Sequence, residues 1–146
     1  MDTSQANITY IKGNIFSASE DVSFAHCVSR DLKMGKGIAA QFRNIFGNIE
    51  VLEKQNRKVG EVAYLSLEDR YIFNLITKDK YFNKPTYESL RMTLTNLRLL
   101  CEHYNVTKLA MPKIGCGLDR LHWPSVENII KSIFANSKIQ ITIYYL

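Results

Sequence analysis

Between Met111 and Leu121 the chain reads Met-Pro-Lys-Ile-Gly-Cys-Gly-Leu-Asp-Arg-Leu. Gly115 and Gly117 lie one residue apart, so the backbone can turn tightly and approach a ligand without Cβ interference, pointing consecutive N–H groups at one anion. Asp119 follows two residues later. A carboxylate is a poor choice for holding a phosphate, so at the end of an anion-cradling loop its chemistry would act on a neighbouring group, as acceptor for a sugar hydroxyl or in a proton transfer. The same residues suit an ordinary strand-to-helix turn with a solvated Asp, because short Gly-rich matches are unspecific. Met34-Gly35-Lys36-Gly37-Ile38 is a second Gly-x-Gly turn, and Lys78 follows the apolar run Ile72-Phe73-Asn74-Leu75-Ile76. There it would emerge at the carboxyl end of a strand, on the rim where ligands bind. A solvated lysine beside Asp79 is the commoner fate of such a residue, and the residues alone leave both readings open. Cys116 stands between the loop glycines as a possible nucleophile, but no base is near it in sequence.

Other chemistries are excluded by pattern. No GxxxxGK[ST] occurs, and no GxGxxG opens a helix after the first strand, which argues against ATP and NAD(H) enzymes of those types. His26 and Cys27 adjoin, but neighbouring strand residues point to opposite faces, so they cannot form a catalytic pair and read as core. His103 and His122 are dispersed surface or cap residues, and no metal site is expected.

The elements that must position these residues interleave along the chain. Ile8 to Ile11 reads as a strand entering the turn Lys12-Gly13-Asn14, and Val22 to Val28 as a strand covered on both faces, being more continuously apolar than alternating. Ile38 to Phe46 is a helix with Ile38, Phe42 and Ile45 on one face and Gly47 as its stop, and Asn48 to Lys58 forms a shorter one. Glu61 to Leu65 and Arg70 to Ile76 make a hairpin across a polar connection. Thr77 to Thr86 is expected to be an exposed loop. Thr86 caps the clearest helix, Tyr87 to His103, with Leu90, Leu94, Leu97 and Cys101 at three- and four-residue steps. Thr107 to Met111 is the strand feeding the glycine loop, Pro124 opens the last helix, and Ile139 to Leu146 alternates as a final strand. This pattern predicts one α/β domain with a mixed sheet and helices on both faces. Ligands in such sheets sit beyond the carboxyl ends of the strands, where both Gly-x-Gly turns fall. A ligand with two linked phosphates between sugars would suit a cleft flanked by two such loops.

Composition bounds the class. With 146 residues and 46% hydrophobic content, a single soluble domain is expected, with residues 1–7 as a flexible N-terminus. No window approaches a membrane span and the N-terminus carries no apolar signal core, so an intracellular protein with no membrane partner is expected. Three cysteines at long spacings imply reduced thiols. The formal charge of +5 favours anionic partners, although scattered lysines and arginines also make an ordinary solvated surface.

Taken together, Ile8 to Gly13, Ala25 to Ser29, Met34 to Ala39, Leu75 to Lys78, Lys84 to Glu88 and Met111 to Leu121 resemble a macrodomain. The Lys78 and Asp119 blocks together resemble more narrowly the terminal ADP-ribose protein glycohydrolase, or O-acyl-ADP-ribose deacylase, subgroup. The resemblance implies a monomeric three-layer α/β/α fold that binds ADP-ribose, removes it from glutamate or aspartate esters of mono-ADP-ribosylated proteins, and deacylates O-acyl-ADP-ribose. Poly(ADP-ribose) is a further possible partner, and no cofactor is implied. It also implies residence in nucleus and cytoplasm and a part in the DNA damage response. By the same matching Lys78 is the nucleophile and Asp119 its acid/base partner. Ile15, Ser29, Lys113, Ile114, Gly115, Cys116, Gly117, Leu118 and Leu146 would line the ligand site, with Gly35, Gly37 and Ile38 along the distal ribose. Asn14 departs from the family, which commonly places there an Asp accepting from the adenine amino group; an amide oxygen still accepts, without the charge. A non-catalytic ADP-ribose or poly(ADP-ribose) reader is the alternative, since it needs the glycine loops but not the Lys/Asp pair.

Overall fold

The computed structural model describes residues 4–146. In chain order its elements are β1 (Asn7–Lys12), a 3-10 turn (Ile15–Ser17), β2 (Ser23–Ser29), α1 (Gly37–Phe46), α2 (Ile49–Gln55), β3 (Val62–Ser66), β4 (Tyr71–Lys78), α3 (Tyr87–His103), β5 (Lys108–Pro112), α4 (Trp123–Ile133) and β6 (Gln140–Tyr145). The six strands form one sheet in the order β1-β6-β5-β2-β4-β3. Every neighbouring pair is parallel except β3 with β4, the expected hairpin. The carboxyl ends of β1, β2, β4, β5 and β6 therefore meet along one edge.

Period-two alternation divides the core between the two faces. In β2, Ala25 and Cys27 pack toward α3 and α4, while Phe24 and Val28 pack toward α1 and α2. Leu90, Leu94, Leu97, Val126 and Ile130 cover the first face, and Phe42 and Leu52 cover the second. The result is the expected α/β/α sandwich. The continuously apolar sequence of β2 follows from its burial under both helical layers.

Several boundaries differ from the sequence reading. The loop expected from Thr77 begins later, because Thr77 and Lys78 remain in β4: Lys78 pairs with Ser29, and its carbonyl accepts from Arg30 N–H at 2.8 Å. The second helix stops at Gln55, since Asn56 takes a left-handed conformation (φ 49°), and the last helix starts at Trp123 with Pro124 in its first turn. The final strand ends at Tyr145. Of the segment expected to be flexible, residues 1–3 lie outside the described residues, Ser4 exchanges two hydrogen bonds with Asn136, and Asn7 opens β1. Among the described residues no helix is long and apolar enough to cross a membrane.

His26 and Cys27 do face opposite sides. The His26 ring stacks on Phe42, with 3.9 Å between centroids, and its Nε2 meets Asn74 Oδ1 at 2.6 Å. Burial disfavours its cation and pushes its pKa down to about 4, against a smaller upward pull from Asn74. The unfolded chain, with a value near 6.5, binds the proton first, so the stability from a neutral His26 is present above pH 6.5 and is lost as pH falls toward 4. The full loss is about 3 kcal/mol. Urea unfolding between pH 7 and pH 4 is expected to show this decline, and His26→Gln, which cannot titrate, to flatten it; equal slopes would assign the pH dependence elsewhere.

Candidate active site

The carboxyl edge collects the chemistry. Lys78 ends β4 and Asp119 lies in the loop after β5, and these two strands are separated by β2. Two inter-strand spacings make about 10 Å, a gap closed by the lysine stem from one side and the returning glycine loop from the other. Lys78 Nζ lies 2.6 Å from Asp119 Oδ1, with side chains only 14% and 15% exposed. At this distance the pair is a charge-assisted hydrogen bond through which a proton can pass.

Local structure fixes both partners. Behind Lys78, Ser89 Oγ donates to the Thr77 carbonyl at 2.7 Å while closing a capping box with Thr86, so the start of α3 is pinned to the end of β4. On the other side Gly115 adopts φ +72°, and a Cβ there would lie 2.9 Å from Leu121 Cδ1. Leu121 N–H donates to the Gly115 carbonyl at 2.7 Å, which closes the loop that presents Asp119. Gly115 thus takes a left-handed backbone in which a side chain would be strained and crowded against Leu121. The second glycine turn meets the first: Gly37, at φ +61°, faces Leu118, whose Cδ1 would be 3.5 Å from a Cβ at Gly37. Lys84 adds a third tie by donating to the Leu118 carbonyl at 3.1 Å.

The remaining candidates share this edge but not the same exposure. Asn14 is exposed, and its Oδ1 accepts from Phe16 N–H at 2.9 Å, capping the 3-10 turn and leaving one lone pair. Ile15 and Ile114 are buried in opposite core faces, Ser29 is buried with its hydroxyl donated to Asp31, and Gly35, Gly117 and Leu118 are exposed with Ile38 half-buried. The Lys113 ammonium lies over the rings of Tyr145 and Trp123, and Leu146 is 97% exposed at the carboxyl end of β6. Cys116 is half-buried, and burial pushes its thiol pKa up against a smaller effect from Lys113, which withholds the thiolate a nucleophile needs. Cys27 is pushed up to about 12 by burial, helped by the charge of Asp119. Among the described residues no cluster of three metal-ligating side chains forms.

Asp31 escaped the sequence reading. Its carboxylate accepts from Ser29 Oγ, from Lys33 N–H at 3.2 Å and from Tyr81 N–H at 2.9 Å. Burial raises its pKa, but these hydrogen bonds outweigh that effect and hold the carboxyl below its usual range. The local half of the arrangement has a sequence signal, an Asp two residues before the N–H it accepts in a polar segment after a strand. The contact to Tyr81, 50 residues away, has none.

Residues 25–130 match the family model for the Macro domain. The chain is 46% identical over 145 residues to ADP-ribose glycohydrolase OARD1 of Homo sapiens, covering 99% of this chain and 95% of that protein, with the same figures for the Bos taurus protein. It is 24% identical to a DNA ADP-ribosyl glycohydrolase of Thermus aquaticus, over 94% of this chain and 41% of that longer protein. The solved macrodomain of Thermus aquaticus DarG matches the fold with a TM-score of 0.82 at 25% identity, covering 95% of this chain and 97% of that one. A sheet with both glycine loops on its carboxyl edge, a family match over most of the chain and near-full-length similarity to a curated relative agree: the chain belongs to the Macro domain family.

Proposed function

We propose that the protein is an ADP-ribose hydrolase that removes ADP-ribose from glutamate and aspartate esters on proteins and deacylates O-acyl-ADP-ribose, with Lys78 as nucleophile and Asp119 as its acid/base partner. The observation that carries the reading is the 2.6 Å Lys78–Asp119 contact at the edge where the two glycine loops meet. Similarity to ADP-ribose glycohydrolase OARD1 supports the substrate class. A module that only reads ADP-ribose has no use for a largely buried ion pair beside the ligand loops.

In this mechanism the diphosphate lies against the N–H groups of the glycine loops, and the distal ribose reaches Lys78. A carboxylate next to an ammonium favours the charged pair, whereas attack requires the neutral amine. Burial beneath the bound ligand shifts the balance, and the proton passes from Nζ to Asp119. The amine then attacks the ester-bearing anomeric carbon directly. A C–N bond forms, the ester C–O bond breaks, and the protein carboxylate leaves. Water attacks the same carbon, a C–O bond forms as the C–N bond breaks, the water's proton goes to solvent, and Asp119 returns its own proton to the departing amine.

A second reading, ADP-ribose linked to DNA, is favoured by one feature. Tyr81 (58% exposed) and Phe82 (65% exposed) stand on the loop just after Lys78, with Lys80 and Lys84 beside them. Aromatic faces amid cations suit stacked bases and phosphates, and the Thermus aquaticus relative is named for DNA. Incubation with glutamate-linked mono-ADP-ribosylated protein, O-acetyl-ADP-ribose and ADP-ribosylated DNA separates these readings. Release from the first two is expected. Turnover of DNA alone would move the assignment to the second reading, and tight binding of ADP-ribose without any turnover would make the protein a reader.

A further inference from the structure

The β2–β4 ladder ends irregularly just where the site begins. Its register shifts between Val28 and Ser29, so Ser29 pairs with Lys78 across a bulge, a device that re-aims the side chain beside it. Beyond this point the two chains are joined by Arg30 N–H to the Lys78 carbonyl (2.8 Å), Asp31 N–H to the Asp79 carbonyl (3.3 Å) and an Arg30–Asp79 ion pair at 3.3 Å. The ion pair is half-exposed at both ends and holds little by itself. The Asp31 carboxylate is different. It gathers three donors, two from its own loop and the Tyr81 N–H from the segment that follows Lys78.

We propose that Asp31 is a positioning residue for Lys78: by binding Ser29 and Lys33 through one oxygen and Tyr81 through the other, its carboxylate clamps the backbone on which the lysine is carried. The inference rests on the reading of Lys78 given above. The clamp needs a carboxylate, because an ionised Asp accepts at both oxygens, whereas Asn accepts at one and would turn an NH2 group toward another donor. The loop it holds is also not at rest in conformational terms. Leu32 and Met34 are buried with φ of 54° and 48°, a left-handed backbone that non-glycine residues keep only when their surroundings impose it. The same carboxylate occupies the Ser29 proton, so Ser29 Oγ is left to accept from a ligand hydroxyl and cannot donate to a phosphate.

The test uses the full chain with Asp31→Asn, Ser29→Ala and Tyr81→Pro, the last deleting the single N–H that reaches Asp31 Oδ2. For each, Tm, the Kd of ADP-ribose and kcat on O-acetyl-ADP-ribose are measured. Misplacement of a reacting group by an ångström costs about 100-fold, so Asp31→Asn is expected to lose at least about tenfold in kcat with the Kd held within about threefold. Tyr81→Pro should show the same split, which keeps the test alive if the Asp31 variant does not fold. Ser29→Ala removes a bond to the same carboxylate but leaves the Tyr81 link, and its kcat should fall less. A folded Asp31→Asn with unchanged kcat, a parallel loss of kcat and affinity, or an equal kcat loss in Ser29→Ala would each overturn the proposal. A wild type that leaves O-acetyl-ADP-ribose intact would overturn the reading of Lys78 and this inference with it. An active wild type, sensitive to Lys78→Ala but indifferent at position 31, would overturn this inference alone.

Discussion

Lys78→Ala is expected to lower kcat for release of ADP-ribose from a glutamate ester by at least about 1,000-fold, the scale of losing a nucleophile from a site whose other parts remain. The Kd of ADP-ribose should stay within a few-fold, because the glycine loops and the shared edge of five strand ends are untouched. Lys78→Arg separates charge from chemistry. Arginine preserves an ion pair with Asp119 but stays protonated, so it cannot attack carbon. Loss of activity in both variants assigns the lysine a covalent role, while activity surviving in Lys78→Arg would reduce it to an electrostatic one. Reductive trapping with cyanoborohydride should add ADP-ribose at position 78 of the wild type, detected by mass, and leave both variants unlabelled.

Asp119→Asn should lower kcat by about 100- to 10,000-fold, the range for removing a positioned acid or base. The substitution preserves the shape of the loop that Gly115 and Leu121 hold, and its amide oxygen can still accept from Lys78 at the present 2.6 Å. What it removes is the charge and the capacity to take a proton. Without the carboxylate nothing receives or returns the proton of the attacking amine. If trapped adduct accumulates in Asp119→Asn while turnover stops, the role of Asp119 lies in the hydrolytic half of the reaction. Full turnover in Asp119→Asn with none in Lys78→Ala would remove Asp119 from the mechanism. The converse, turnover in Lys78→Ala and none in Asp119→Asn, would favour Asp119 activating a water.

Much of the scaffold was legible because its signals are local. The three- and four-residue steps of Leu90, Leu94, Leu97 and Cys101 follow the buried face of α3, and Thr86 caps it as its type predicts. The apolar run from Phe24 to Val28 belongs to a strand buried on both sides, and both Gly-x-Gly turns lie on the carboxyl edge of the sheet. Where local reading of β4 failed, a long-range contact had intervened. Thr77 and Lys78 look like loop because polar residues follow them, but pairing with Ser29 and the Arg30 N–H keeps them in β4. Asn56 ends α2 three residues before the apolar pattern would, by adopting a left-handed turn.

By itself, then, the sequence determined which segments form strands and helices, that glycine turns follow β2 and β5, and that a lysine and an aspartate follow two apolar strands. Backbone geometry and side-chain periodicity act over a few residues, and their signals survive in one dimension. Only the tertiary structure decided that β2 lies between β4 and β5, that Lys78 and Asp119 meet across its end at 2.6 Å, and that Asp31 holds the loop carrying Tyr81. Those pairings depend on sheet order and on the bulge at Ser29, which arise from the packing of whole layers and leave no spacing in the chain from which a distance can be read.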